Sequence, residues 1–204
     1  LYALDTKGRE RWKFQASAGI SSSPALANGV VYVGSLDTHL YALNAATGQL
    51  QWKFKTSGGV LSSPAVSDGT VYVGSLDGHV YAVGTKAGQE RGKFKTGAKI
   101  SSSPAVAYDT VYVGGQDRRF YALRRESGEL KWLFLVQDRI LSSPAIAEGI
   151  IYFGSWDRHL YALDAQTGKE FWRFATNVRI NSSPTVAKGV VYVGSDDNNL
   201  YALR

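Results

Sequence analysis

The tripeptide Tyr-Ala-Leu, or a one-residue variant of it, begins at Tyr2, Tyr41, Tyr81, Tyr121, Tyr161 and Tyr201, a spacing of 39 residues and then of 40 four times over. All five prolines, Pro24, Pro64, Pro104, Pro144 and Pro184, stand in a Ser-Ser-Pro context at one phase of the same repeat. A period of this length marks an array of supersecondary units, each too small to bury its own apolar face and stable only when stacked on a neighbour. Any fold for this chain has to be built from five such units in register.

Within one unit, Ser62 to Val66 reads as a short strand, Gly69 as a turn, Val71 to Ser75 as a second strand and Val80 to Val83 as a third; beyond a Gly-bearing turn, an outer strand such as Gln51 to Phe54 completes the set. Each run is short, rich in Val, Tyr, Phe or Trp, and bounded by Gly, Asp or Asn, the pattern of strands and tight turns. Four strands in about 40 residues is the size of a propeller blade. The sequence therefore predicts an all-β protein, a β-propeller of five four-stranded antiparallel blades forming a single domain over residues 1–204. We letter the strands A (Ser-Ser-Pro-Ala-Val), B (Val-Tyr-Val-Gly-Ser), C (Leu-Tyr-Ala-Leu) and D (Gln-Trp-Lys-Phe). A carries the small residues that crowding near an axis demands, whereas the aromatics fall in B, C and D, where a blade widens.

Composition narrows the class. Hydrophobic residues make up 44% and charged residues 20%, so a packed core is expected over disorder. No run of about eighteen apolar residues is present to span a bilayer, and Leu1 to Glu10 lacks the basic and apolar regions of a signal peptide. The chain contains no Met, even at position 1, which suggests something other than a complete primary translation product. It contains no Cys, which excludes disulfides, thiolate metal sites and cysteine nucleophiles but fits oxidising and reducing compartments alike. No nucleophile elbow, Walker loop, dinucleotide fingerprint or zinc signature occurs, and no catalytic residue, metal or cofactor is assigned.

The repeats resemble the pyrroloquinoline-quinone-like (PQQ-like) repeat propellers, which include bacterial quinoprotein dehydrogenases, an outer-membrane assembly lipoprotein and kinase sensor domains. The docking motif of that family, Ala-x-Asp-x-x-x-Gly-x-x-x-Trp, is matched in full by Ala162, Asp164, Gly168 and Trp172, and by Ala3, Asp5, Gly8 and Trp12 with one residue deleted. The second repeat has Asn44 for the Asp but keeps Gly48 and Trp52; the fourth has Arg124 with Gly128 and Trp132; the third, with Gly84 and Gly92, loses both Asp and Trp. The resemblance implies that Trp12, Trp52, Trp132, Trp172, Asp164 and Gly168 are structural residues locking one blade on the next. It also implies an extracytoplasmic, bacterial setting. Dehydrogenases of the family resemble eight-bladed rings with a calcium, a catalytic aspartate and often a vicinal disulfide; five repeats without Cys or a long insertion favour the assembly and sensor members instead.

Antiparallel strands send the B–C and D–A connections to one face of the ring and the A–B and C–D connections to the other. The second face carries short turns such as Ala27-Asn28-Gly29. On the first, the position just before strand A reads Gly19, Gly59, Lys99, Arg139 and Arg179, which aims three consecutive cations at the axis. The B–C turns add Arg118, Arg119, Arg158, Trp156 and His159, together with His39 and His79. Lys99, Arg139, Arg179, Arg118, Arg119, Arg158, His159 and Trp156 are thus the candidate ligand-binding residues, and the net charge of +6 agrees with an acidic partner. Any single arginine is weighed against a solvated turn residue; convergence on an axis is what lifts the trio above that.

Asp37, Asp77, Asp117, Asp157 and Asp197 recur in the same turn and are expected to accept local backbone N–H bonds, since one structural need met five times accounts for five aspartates. The Ser-Ser-Pro serines are expected to satisfy crowded backbone in the same way. The expected function is a non-catalytic scaffold or sensor module binding a protein or peptide partner, or a small anionic ligand, on one face. A dehydrogenase fragment is the alternative, and a nucleic-acid or anionic-lipid surface is a minor one, because the aromatics are committed to packing rather than to stacking on bases. The chain begins and ends on a C strand, and closure is expected with the ends permuted inside one blade, strand D at Arg9 to Phe14 completing the last. That gives a monomer, with a larger parent ring or a strand-exchanged oligomer as the rivals.

Overall fold

Every blade has two apolar faces, and the chain covers each with the next blade. The computed structural model describes all 204 residues, Leu1–Arg204, and contains twenty-one strands without a helix. A hairpin of β1 (Tyr2–Leu4) and β2 (Glu10–Lys13) comes first. The first complete blade is β3 (Ala25–Ala27), β4 (Val30–Gly34), β5 (His39–Asn44) and β6 (Leu50–Lys55); the second is β7 (Ala65–Ser67), β8 (Thr70–Gly74), β9 (His79–Gly84) and β10 (Glu90–Lys95). The third is β11 (Ala105–Ala107), β12 (Thr110–Gly114), β13 (Arg119–Arg124) and β14 (Leu130–Leu135), and the fourth β15 (Ala145–Ala147), β16 (Ile150–Gly154), β17 (His159–Asp164) and β18 (Glu170–Ala175). β19 (Thr185–Ala187), β20 (Val190–Gly194) and β21 (Leu200–Leu203) form a three-stranded sheet. All pairings are antiparallel between sequence neighbours, as the strand lettering requires.

The expected five four-stranded blades are corrected here to four, flanked by a three-stranded and a two-stranded sheet. The strand expected to complete the last blade, β2, pairs instead with β1 in the register Tyr2↔Lys13 and Ala3↔Trp12, and β21 pairs only with β20. The reason is local. Leu1 to Leu4 and Leu200 to Leu203 have the same sequence, so β2 already owns a C strand in the right register, and the nearer one holds it.

The core is a series of interlayers rather than one centre. Tyr32, Leu40 and Ala42 of the first blade pack with Val71, Val73, Tyr81 and Val83 of the second; Tyr112, Phe120 and Ala122 of the third pack with Ile151, Phe153 and Tyr161 of the fourth. Period-two alternation sends one set of each strand to the preceding blade and the other set to the following one. Strands β3, β7, β11, β15 and β19 are innermost and touch one another in sequence. There the second serine of each Ser-Ser-Pro accepts the backbone N–H of its counterpart one blade back: Ser23 N–H to Ser63 Oγ, Ser63 to Ser103, Ser103 to Ser143 and Ser143 to Ser183, at 2.8–3.0 Å. The first serine, as in Ser62, bridges the N–H and carbonyl of Gly74. Both serines serve the crowded backbone, as the repeat predicts.

The docking tryptophans work at the outer rim. Trp12, Trp52 and Trp132 donate their indole N–H to the carbonyls of Ala45, Thr85 and Ala165 in the next blade, at 3.0, 2.9 and 3.2 Å. Each ring covers the glycine of that turn. At Gly88, whose φ is +66°, a Cβ would collide with the Trp52 ring, so both the conformation and the contact require glycine. Asp164 shapes the equivalent turn by accepting the Gln166 and Thr167 N–H groups at 3.0 and 2.7 Å, ahead of Gly168, which meets Trp132. Trp172 lies against Tyr152, ring centres 5.8 Å apart.

Trp52→Ala removes the ring, its hydrogen bond and the filling of an interlayer, and is expected to cost about 3–5 kcal/mol. Leu26→Ala, at a side chain 70% exposed, should stay within about 0.5 kcal/mol. Urea denaturation of the two variants checks the contrast.

Candidate functional site

The face bearing the B–C turns is held by a double stitch. In the turn after β4, Asp37 accepts the His39 N–H on Oδ1 at 3.1 Å, and the Ser17 N–H and the Tyr41 hydroxyl on Oδ2, both at 2.8 Å. Ser17 belongs to the connection entering the blade, so the aspartate ties that connection, its own turn and its own C strand together. The connection leaving the blade returns to the same turn: Val60 N–H donates to the Ser35 carbonyl at 2.9 Å, and Thr56 N–H and Oγ1 donate to the Thr38 carbonyl at 2.8 and 2.9 Å. Asp77, Asp157 and Asp197 repeat the arrangement through Ser57, Gln137 and Asn177 and through Tyr81, Tyr161 and Tyr201. The aspartates therefore accept local N–H bonds as expected, and they also bind the neighbouring connection, which a reading of isolated turns does not reveal.

These bonds set the protonation states. Burial alone would raise the carboxyls of Asp37 and Asp77, but the tyrosine hydroxyl and the backbone donors outweigh it and hold both below the usual carboxylate value. On the tyrosine side, burial and then the Asp37 carboxylate push the Tyr41 hydroxyl up to about 12.

The third repeat keeps the bonds to the neighbouring connection and to the C strand but loses those within its own turn. Gly115 replaces the serine whose hydroxyl elsewhere accepts the aspartate N–H, as Ser35 does from Asp37 at 3.2 Å. Asp117 turns into the vacated space, and its Oδ1 is buried without a hydrogen-bond partner. Its Oδ2 accepts from the Tyr121 hydroxyl and from the Gly97 N–H, while Arg119 Nη1 stands 3.7 Å away.

The cationic trio occupies equivalent backbone positions: the carbonyls of Lys99, Arg139 and Arg179 accept the N–H groups of Gln116, Trp156 and Asp196 at 3.1, 3.0 and 3.1 Å. Two of the three converge. The guanidinium carbons of Arg139 and Arg179 lie 4.5 and 4.2 Å from the centre of the Trp156 ring. Trp156 donates its indole N–H to Asn181 Oδ1, and Asp196 Oδ2 accepts from Arg179 Nε at 2.7 Å and from Asn181 Nδ2 at 2.9 Å. Arg158 joins Trp156, Arg179 and Asp196 on the wall of an open depression of about 830 Å³ that also includes Asn177 and Asn198. Lys99 is exposed one blade away. Arg118 and Arg158 sit at the left-handed position of their turns, with φ of 67° and 72°. His159 is tied back on its own turn, Nδ1 2.9 Å from the Asp157 carbonyl oxygen.

The structure thus gathers Arg139, Trp156, Arg179 and Arg158, and leaves Lys99, Arg118, Arg119 and His159 as separate elements of the same face. Asn181 and Asp196 were missed by sequence reasoning. Their signal is phase: Asn181 stands where other repeats have Ser21, Leu61, Ser101 and Leu141, and Asp196 where they have Leu36, Leu76, Gln116 and Trp156. The same phase makes the first two blades apolar on this face, with Leu36 resting against Gly19 and Gly59.

A family model described as outer membrane protein assembly factor BamB matches residues 1–91 and 76–204, which together span the chain. The chain belongs to this family of PQQ-like repeat propellers. Among solved structures, BamB from Moraxella catarrhalis superposes with a TM-score of 0.85 at 21% identity, covering 96% of this chain and 64% of that one. Quinohemoprotein alcohol dehydrogenases from Pseudomonas putida HK5 and Comamonas testosteroni give TM-scores of 0.78 and 0.77 at 20% and 18% identity, each with 41% of its own length covered. These likenesses concern the fold, and this chain spans less than two thirds of each of those proteins. The uncharacterized protein YxaL of Bacillus subtilis (strain 168) is 50% identical over 42 residues, 20% of this chain and 10% of that protein.

The side chains present do not gather a carboxylate set for a calcium of the dehydrogenase kind. No three His, Asp or Glu side chains gather at metal-binding distance, and the recurrent turn aspartates are engaged by N–H and hydroxyl donors.

Two outcomes test the stitch. Asp37 and Asp77, held below their unfolded value of about 3.9, contribute stability that is present above about pH 4 and lost as pH falls through their folded values. Tyr41, held above its unfolded value of about 10, contributes stability present below about pH 10 and lost as pH rises toward its folded one. The melting temperature should hold a plateau between these limits and fall on both sides, with Tyr41→Phe flattening the alkaline limb; a scan of melting temperature against pH reads both. Gly115→Ser should return Asp117 to the position of its four equivalents and stabilise the chain by about 0.5–1.5 kcal/mol, measured by chemical denaturation.

Proposed function

We propose that the chain is a non-catalytic binding module that holds an acidic segment of a protein partner on the face of its B–C turns. The observation that carries this is the pair of guanidiniums, Arg139 and Arg179, stacked on one indole. Cations laid against an aromatic face are worth about 0.5–1 kcal/mol each at exposed sites, and they hold the planar fork of each arginine still while its remaining N–H donors face outward. Arginine presents carboxylates with two parallel donors, which a solvated lysine does not. Asp196 takes part of the charge of Arg179; Arg139, whose neighbour Asp138 is 3.8 Å away and about half exposed, remains the stronger anchor. A small anionic ligand would use the same donors.

The description of the matching family as an assembly factor supports a protein partner, and its outer-membrane association supports an extracytoplasmic setting. No helix is long and apolar enough to cross a membrane. The dehydrogenase reading rests on shared fold alone, and fold does not name a chemistry.

A fluorescein-labelled peptide rich in Asp and Glu, titrated by polarisation, is the direct test. Changing Lys99, Arg139 and Arg179 together to Ser should weaken binding by about tenfold or more and reduce its salt dependence, with the melting temperature little altered because all three side chains are exposed. Unchanged binding overturns the proposal, as does alcohol oxidation on addition of quinone and calcium.

A further inference from the structure

At four C–D strand pairs a tryptophan stands opposite alanine: Ala3↔Trp12, Ala42↔Trp52, Ala122↔Trp132 and Ala162↔Trp172. The pair β9–β10 sets Gly92 opposite Ala82 in the same register. The interface between the second and third complete blades keeps everything else the docking indole uses. A Cβ at Gly128 or at Gly92 would meet nothing within 4 Å. The Arg125 carbonyl, counterpart of the acceptors Ala45, Thr85 and Ala165, receives only a long contact from the Tyr72 hydroxyl at 3.4 Å. Tyr72 itself lacks the tryptophan that its counterparts Tyr32, Tyr112 and Tyr152 meet at 5.7–5.9 Å.

The space left behind is a cleft of about 300 Å³ walled by Tyr72, Val80, Phe94, Val111 and Leu123. This lies at the small end of ligand pockets, about 300–1,000 Å³. Its rim is cationic: Arg91, Lys93, Arg124 and Arg125 against Asp68 and Glu126. Arg125 is paired with Asp68, and Arg91 donates to Thr70 Oγ1 at 2.7 Å. Lys93 and Arg124 reach Glu90 and Glu129 only at 3.5 and 4.0 Å, in exposed positions where such pairs hold their partners weakly.

We propose that this cleft binds a small planar aromatic molecule bearing a ring N–H and an anionic substituent, of the indole carboxylate class, with its ring in the place of the missing docking indole. The other interfaces fix the choice: they demonstrate that an indole fits between these blades and that its N–H finds a backbone carbonyl in the next turn. What those interfaces lack is the arginine pair of the turn, since Arg124 and Arg125 stand where they have Asn44 and Ala45, Gly84 and Thr85, and Asp164 and Ala165; that pair selects for the anionic substituent. The site is independent of the face bearing Trp156, since no residue is shared between the two clefts.

The probe is indole-3-acetate, titrated by isothermal calorimetry at low salt and followed in parallel by ligand-observed NMR. Saturable one-site binding is expected, with uncharged indole weaker and added salt narrowing the difference. Gly92→Trp rebuilds the docking pair and should abolish binding while raising the melting temperature; Gly92→Leu, which half fills the cleft, should weaken it by about tenfold or more. Absence of saturable binding to the parent chain, or binding retained by a folded Gly92→Trp or Gly92→Leu protein, overturns the proposal and reduces the cleft to a packing defect.

Discussion

A blade is a sheet with two greasy sides and no helix to cover either, so each interlayer has to be sealed by the next repeat. Burial of apolar area supplies the drive, about 25 cal/mol per Å², but it is non-directional and would accept a sliding or tilted neighbour. Direction comes from polar bonds placed at three radii. The serine ladder fixes the inner edge, the aspartate stitch fixes one face, and the indole-to-carbonyl bond fixes the outer rim. Each spans consecutive blades, so a blade cannot rotate about one without straining another. The repetition of the whole motif follows from this. A unit missing one of the three fixings still packs, but it leaves a local gap, as at Gly92; a unit missing only a bond within its turn, as at Gly115, leaves an unpaired oxygen.

The architecture was legible because its determinants are local and in phase. Ser-Ser-Pro placed strand A at the axis, Val-Tyr-Val-Gly and Leu-Tyr-Ala-Leu marked B and C, and the Trp and Gly spacing identified the docking pair. The joining of the ends was not legible, because β2 faces two identical C strands, Leu1 to Leu4 and Leu200 to Leu203, and pattern alone cannot rank two partners of the same sequence. In the structure, proximity along the chain decides for β1. The binding face was half legible. Phase brought Lys99, Arg139 and Arg179 to one ring of positions, but which of them meet depends on the residue between them. Trp156 lies between Arg139 and Arg179, whereas the equivalent Gln116 beside Lys99 turns to Ser101. Asn181 and Asp196 are short polar residues whose importance appears only when two connections pack side by side.

In a chain of near-identical units, what is common to all five explains the fold and what differs explains the surface. The departures are unequal. At position 115 the loss of a serine leaves an unpaired carboxylate oxygen that costs stability and exposes no donor. At position 92 the loss of a tryptophan leaves walls, an acceptor and a rim of cations, which is a receptor for the group that is missing. At Trp156 a bulky aromatic has been gained at a position where the other repeats carry leucine, glutamine or aspartate, and it immobilises two arginines that would otherwise be solvated.

Rigid scaffolds make such substitutions effective, because a side chain held from both sides loses little further freedom when a ligand arrives. Arg139 and Arg179 are anchored through carbonyls bonded to Trp156 and Asp196 and through guanidiniums laid on the Trp156 ring, so their entropic cost of ordering has been met in folding. The cleft at Gly92 is preorganised differently, by the two blades whose spacing the serine ladder and aspartate stitch already set. Closing that gap by collapse would require Ser63 to leave Ser103 or Gly97 to leave Asp117, bonds of 2.8 and 2.9 Å. The fixings that make the repeats stack are therefore also what keeps an unfilled interlayer open.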